Sequence, residues 1–428
     1  SIEIIIPIKN TNNIIINDDE QLKKGNFNIL QSDDRKYSFK NGSVIKNIKG
    51  QFDGNLICYN NFENHKINII DFWQNYPKGI KLDKNKLSIG VLPSGINKNK
   101  LNFDKDEIHR NKFWLNHGLY HIKLGMRIRT EFQYQCDSEE SINMINDGIF
   151  LEKPIIKVPL NYLNKTNSLR KIGEPDKNLF SNYENLMNKA IKSFNDEQSE
   201  LRTYGHLNYG DWYGESGYSW GNNEYDTVLC SFIQFLRDSD YKWYNWGFNA
   251  ANHLVNIDTI NNYYDESKVG SQSMHMPGHT GGYLPPYFKS KMKGTQSIPS
   301  HTWVEGPILG YLLTGEQTFY ESLEKTKKWL LNPNTINYYD YSNAREAGWH
   351  LIHLCAFYEN FNDVDCLNGA HIIVEKVMEK KKPNSGWIRM LTESHCGCGF
   401  PRCSGEAGFM LNLLLSGLYR YYLITKIK

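Results

Sequence analysis

The sequence has almost no excess charge. Lys and Arg total 49 against 47 Asp and Glu, a formal net charge of +2 over 428 residues. Both signs are spread along the chain, so the basic patch that a nucleic-acid backbone requires is missing and nucleic acid is excluded as a partner. Long apolar runs are missing too. The most hydrophobic stretch, FMLNLLLSGLYRYYLI, is interrupted by Asn412, Ser416 and Arg420, short of the roughly 18 residues of a membrane span. No secretory leader is visible, but the chain opens in a strand pattern (SIEIIIPI) and closes in a helical one (LITKIK), so both ends read as possible trimming points. Cysteine is sparse at eight residues, and the sequons at Asn41 and Asn164 are what an Asn-rich chain yields by chance. The expectation is an extracellular or periplasmic protein, with the cytoplasm left open.

Aromatic residues are abundant: 10 Trp, 27 Tyr and 20 Phe make 13% of the chain. Sugar-binding sites use such rings as flat platforms, although most aromatics fill cores. Residues 210–226, GDWYGESGYSWGNNEYD, contain no Leu, Ile, Val or Met, yet carry five aromatic rings, four acids and four glycines. Glycines permit tight turns, rings offer stacking faces, and the polar groups suit hydroxyls, which describes a glycan-binding rim. Asp211, Trp212, Glu215, Trp220, Asn222, Asn223, Glu224 and Tyr225 are its candidate substrate contacts.

Two halves differ in period. Up to about residue 160, apolar and polar residues alternate, as in HIKLGMRIRTEFQY, where Ile122, Leu124, Met126, Ile128 and Phe132 share one face. KLSIGVLP, KINIIDF and IIKVPL read as further strands of antiparallel sheets. After Phe180 the period becomes helical and the chain repeats loosely: a polar loop ending in an acid, a helix apolar all round, an acidic break, then a helix with one apolar stripe. The breaks fall at 238–240, 314–316 and 362–365, and one stripe is Phe319, Leu323, Thr326 and Leu330. Buried helices alternating with surface helices predict an inner and an outer ring. The expected fold is α+β, with a β-sandwich over 1–165 followed by an α/α toroid over 166–428. Inner-helix starts would then collect Glu224, Glu305, Glu346 and Glu406 at one mouth, unless each merely caps its own helix.

A second unusual loop, SMHMPGHTGGYLPPY, places His275 and His279 among glycines and prolines. These break the one-face helical spacing of a zinc motif, which favours acid–base or substrate roles over metal. In SHCGCGFPRCSGE, His395, Cys396, Cys398 and Cys403 allow a zinc reading, but the spacing lacks paired C-x-x-C units, and a disulfide from Cys396 or Cys398 to Cys403 fits as well. The expectation is no cofactor. Trp303 and Trp349, near helix starts, are read as platforms.

Taken together, YGHLNYGDWYGE, WGNNEYD, HMPGHTGGY, SHTWVEGPILGYLLTGE and NAREAGWHLI resemble the C-terminal toroid of the exo-acting rhamnogalacturonan lyase family. DFWQNYPKGIKLD, KLSIGVLP and HGLYHIKLGM are similar to that family's central β-sandwich, so the resemblance covers most of residues 60–424. It departs from the family in lacking a further N-terminal β-barrel or retaining it only in part, in ending before that family's toroid does, and in its GLYHIKLGM motif. The resemblance implies an exo-acting polysaccharide lyase of pectin degradation, cleaving a uronic-acid glycan by β-elimination. Such chemistry needs a cation on the sugar carboxylate, a base for the C5 proton and an acid for the leaving oxygen. Arg345 is assigned the first role, with a salt bridge to a neighbouring acid as the alternative. His279 and His275 are the base and acid candidates, with Tyr209, Tyr225, Tyr283 and His301 behind them. Paired carboxylates among Asp211, Glu215, Glu224, Glu305 and Glu346 would instead suit a glycoside hydrolase, and a non-catalytic glycan-binding protein is the third reading.

Overall fold

The computed structural model describes residues 1–8, 13–16, 20–23, 26–59, 63–83, 85–94, 96, 115–116, 119–120, 125–138, 155, 157–166, 169, 172–205, 221–272, 297–391, 396 and 403–426. It divides into two units. One holds 1–122, 128–155 and 192–209; the other holds 123–127, 156–191 and 210–428.

The first unit is built from antiparallel sheets. β1 (Ile2–Pro7), β2 (Asn13–Ile16), β3 (Glu20–Lys23), β4 (Phe27–Asp33), β5 (Lys36–Asn41) and β6 (Val44–Lys49) are followed by β7 (Asn55–Tyr59) and β8 (Glu63–Ile69). After these come β9 (Lys78–Asp83), β10 (Lys86–Leu92), the short pair β11 (Leu115–Asn116) and β12 (Leu119–Tyr120), and β13 (Phe132–Ser138). One sheet runs β1-β10-β9-β4-β5-β6 and the other β13-β8-β7-β2-β3. Alternation puts Ile29, Ile80, Leu87 and Ile89 of the first sheet and Leu56, Cys58, Ile67 and Ile69 of the second into one shared apolar core. Lys78 stands out at the start of β9: 3% exposed, its amine donates to the Val91 carbonyl at 3.1 Å and the Thr130 hydroxyl at 2.8 Å.

Two expected strands are corrected. Within the described part of HIKLGMRIRTEFQY, residues 125–134, the strand begins at Phe132. Gly125 takes φ 93°, its carbonyl accepts from the Asn261 amide, and the Arg127 amide donates to the Asn256 carbonyl, so this backbone bonds within the helical unit instead. Residues 157–159 of IIKVPL have no regular structure, and Leu160 opens the short helix α1 (Leu160–Thr166).

The second unit is helical. After α2 (Ser181–Leu201), which the division splits at 191/192, come three helix pairs: α3 (Thr227–Asp238) with α4 (Tyr241–His253), α5 (Glu305–Thr314) with α6 (Gln317–Leu330), and α8 (Ala344–Phe361) with α9 (Val364–Lys380). The one-turn α7 (Pro333–Ile336) and the last helix α10 (Gly408–Thr425) complete the set among the described residues. Each acidic break has the same construction. The first helix ends on a left-handed residue, Ser239, Gly315 or Asn362, and the next residue, Asp240, Glu316 or Asp363, caps the following helix with its side chain.

Burial follows the pattern for α8, where every residue from Glu346 to Phe357 is buried, and for α6, whose stripe Phe319, Leu323, Thr326 and Leu330 is buried. It departs for α10. That helix is apolar nearly all round, yet Phe409, Leu415, Tyr419 and Leu423 are exposed; among the described residues α8 packs on the side carrying Met410, Leu414 and Gly417. Apolar periodicity tells which residues favour burial, not which element is present to cover them. Among the described residues no helix is long and apolar enough to cross a membrane.

Candidate functional site

Asn222, Asn223, Tyr225 and Asp226 all have positive φ, between 47° and 59°, in the turn that leads into α3. Asn and Asp tolerate this conformation, whereas for Tyr it costs roughly 1–2 kcal/mol. The surroundings hold the turn in place. Asn222 Nδ2 donates to the His301 carbonyl at 3.1 Å, and the Asn222 carbonyl accepts from Trp303 Nε1 at 2.7 Å. Trp303 is itself fixed by Gln272, whose amide side chain pairs with its backbone N–H at 2.7 Å and carbonyl at 3.0 Å. Asp226 joins two helices: one oxygen accepts from Leu229 N in α3, the other from Gly306 N in α5, each at 3.0 Å. Burial pushes the Asp226 carboxyl up to about 7, against the pull of these backbone donors.

This turn presents Glu224 and Tyr225 to the start of α8. Arg345 Nη2 donates to Glu224 Oε1 at 2.8 Å, and the same oxygen lies 3.8 Å from His301 Nδ1. The Arg345 guanidinium sits 5.7 Å from the centre of the Tyr225 ring. Below it, Trp303 stacks near Tyr225 at 6.1 Å, Trp349 approaches both rings at 6.0 and 5.0 Å, and His353 stacks on Trp349 at 5.4 Å. Of these three residues only Tyr225 is exposed, at 44%; Trp303 is fully buried and Trp349 is 8% exposed. Trp303 therefore serves as packing under the turn, and Tyr225 is the ring of this cluster that reaches solvent.

Each acid has its own described partner, and Glu406, Glu224 and Glu346 meet at the first residues of α8. Glu224 takes Arg345; Glu305 pairs with Arg420 at 2.9 Å; Glu406 faces Arg389 at 3.4 Å and accepts from Ala344 N at 3.3 Å. Glu346 accepts from Ser300 Oγ at 2.5 Å and Ser300 N at 3.1 Å, and burial raises its carboxyl above the usual range. Of the two readings of Arg345, its described partner is the neighbouring acid.

Tyr209, Asp211, Trp212, Glu215, Trp220, His275, His279 and Tyr283 lie outside the described residues, as do His395 and Cys398. Cys396 is a free thiol, so it forms no disulfide with Cys403. Among the described residues no group of three His, Cys, Asp or Glu is placed to hold a metal ion.

Sequence reasoning passed over Ser300, Gln272, Arg420 and His353. Only Arg420 gave a signal, as a charge inside an apolar helix, where the Glu305 and Glu359 carboxylates receive it. His353 donates through Nε2 to the Pro299 carbonyl at 3.1 Å, and burial lowers its pKa to about 3, so its ring is neutral. No protein-family model matches the sequence, and no curated protein matches it.

Proposed function

We propose that the helical unit is an α/α toroid acting on a uronic-acid-containing glycan of rhamnogalacturonan type, and that it cleaves this glycan by β-elimination as an exported, exo-acting polysaccharide lyase. The observation that carries the reading is the Arg345 guanidinium lying over the half-exposed Tyr225 ring at the start of a buried helix. A sugar ring stacks on an aromatic face, and a guanidinium beside that face suits a sugar that is also a carboxylate.

In the reaction, Arg345 offsets the carboxylate charge at C6 and makes the C5 proton acidic. A base removes that proton, the electron pair forms the C4=C5 double bond, the C4–O bond breaks, and an acid protonates the departing oxygen. His301 is the candidate for proton transfer that stands beside Arg345 and Glu224; His275, His279, Tyr209 and Tyr283 are the others. Glu224 holds the arginine in orientation. The hydrolase alternative is less favoured because Glu224, Glu305, Glu346 and Glu406 each have a separate partner, leaving no free pair among them to flank a glycosidic bond.

The test follows ultraviolet absorbance of the unsaturated product together with released reducing ends, on rhamnogalacturonan I and other uronic-acid glycans. Both signals rising together support the lyase. Reducing ends without absorbance refute elimination and restore the hydrolase, and silence in both favours a glycan-binding protein without catalysis.

A further inference from the structure

Arg345 and Trp349 stand one helical turn apart on α8, and both contact the ring of Tyr225, at 5.7 and 6.0 Å. Each carries a buried donor without a hydrogen-bond partner among the described residues: Nε of Arg345 and Nε1 of Trp349. Trp349 is more than nine-tenths buried. Native proteins seldom leave such donors unfilled, because each costs stability while it stays empty. Trp303 is the contrast in the same cluster, its indole N–H taken by the Asn222 carbonyl. The helix end adds to the pattern. Asn343 occupies the cap position of α8 without capping it, and its Oδ1 has no partner among the described residues either. The positive end of an 18-residue helix therefore lies beside two donors without a partner among the described residues, one of them on a cationic side chain.

From this we infer that Trp349 is a specificity-determining residue: its indole N–H and the Nε–H of Arg345 together bind the carboxylate of one uronic acid unit, whose ring lies against Tyr225. The inference rests on the uronic-acid reading above and adds a donor to it. A neutral sugar gains the Tyr225 contact but cannot fill both donors with a charged acceptor, so the subsite selects acidic over neutral sugars. Trp349 thus acts through its N–H as well as its surface.

The experiment measures binding by calorimetry, with galacturonic acid, its methyl ester and galactose as probes, on the wild-type chain and on Trp349→Phe and Arg345→Gln. Phenylalanine keeps an apolar ring and removes the donor. Galacturonic acid is expected to bind the wild type at least tenfold tighter than its methyl ester. Trp349→Phe should weaken galacturonic acid about tenfold, the loss expected for one hydrogen bond to a charged group, and leave galactose unchanged. In the wild type, one indole N–H resonance should shift on adding galacturonic acid, a readout that survives if the variant fails to fold. Equal affinity for acid and ester, no binding of either, an unmoved set of indole resonances, or a Trp349→Phe chain that binds the acid as the wild type does would each overturn the inference. Binding is read without turnover. Acid-selective binding without unsaturated product refutes the lyase and leaves the subsite standing, whereas product formation with no Trp349 effect does the reverse.

Discussion

Replacing Asp226 tests how the candidate site is held. Its two carboxylate oxygens each accept one backbone N–H, from Leu229 and from Gly306. Asp226→Ala removes the cap of α3, worth about 1 kcal/mol, and orphans the buried Gly306 donor, about 1–3 kcal/mol. Alanine at φ 57° adds about 1 kcal/mol. The sum is about 3–5 kcal/mol, a large share of the 5–15 kcal/mol typical of a domain. Asp226→Gly also loses both acceptors but relaxes the left-handed strain, and recovers only about 0.5 kcal/mol because glycine loses more entropy on folding. Asp226→Asn keeps the conformation and one acceptor, and should cost about 1–3 kcal/mol. Urea titrations read by tryptophan fluorescence suit the assay, since Trp303 and Trp349 lie beside the turn. The expected order of stability is Asp, Asn, Gly, Ala. An alanine variant within about 1 kcal/mol of wild type, or asparagine no better than alanine, would refute the two-helix joint.

Three further outcomes are expected. Burial lowers the Lys78 amine from 10.5 to about 7, so the charged form is disfavoured in the folded state. Unfolded chain then binds more protons between pH 7 and 10, and stability rises by about 1.4 kcal/mol per pH unit there; Lys78→Met should flatten this rise in urea titrations at pH 7 and 9, and an unchanged slope would assign it elsewhere. Glu224→Gln removes the charge that holds Arg345, so under the lyase reading KM for the anionic glycan falls and kcat falls about tenfold; a rise in KM with kcat unchanged would mean that Glu224 binds substrate directly. Gly348→Ala places a Cβ 2.5 Å from Leu414 N where α8 meets α10, which should cost about 1–3 kcal/mol in thermal or urea unfolding, and a neutral result would mean the two helices part easily.

Local structure was largely legible. The acidic breaks were visible as short polar interruptions, and their left-handed residue followed by a capping acid is a local device that needs no partner from elsewhere in the chain. Period separated the buried α8 from the half-buried α6, whose environments fit their patterns, but failed for α10, apolar nearly all round and yet half exposed. HIKLGMRIRTEFQY misled because alternation describes a strand equally well whether or not a neighbour accepts its backbone, and here Asn256 and Asn261 took those bonds.

What the sequence determined by itself was the class: two antiparallel sheets followed by paired helices, rich in rings and balanced in charge, because alternation, helical period and caps depend on near neighbours. Tertiary structure alone decided the partners. Glu224 meets Arg345 across 121 positions, and Trp303 meets Asn222 across 81. Such pairs follow from how helices pack, so no spacing announces them. The same packing buried one tryptophan with its N–H satisfied, left another whose N–H has no partner among the described residues, and turned Tyr225 outward beside the arginine.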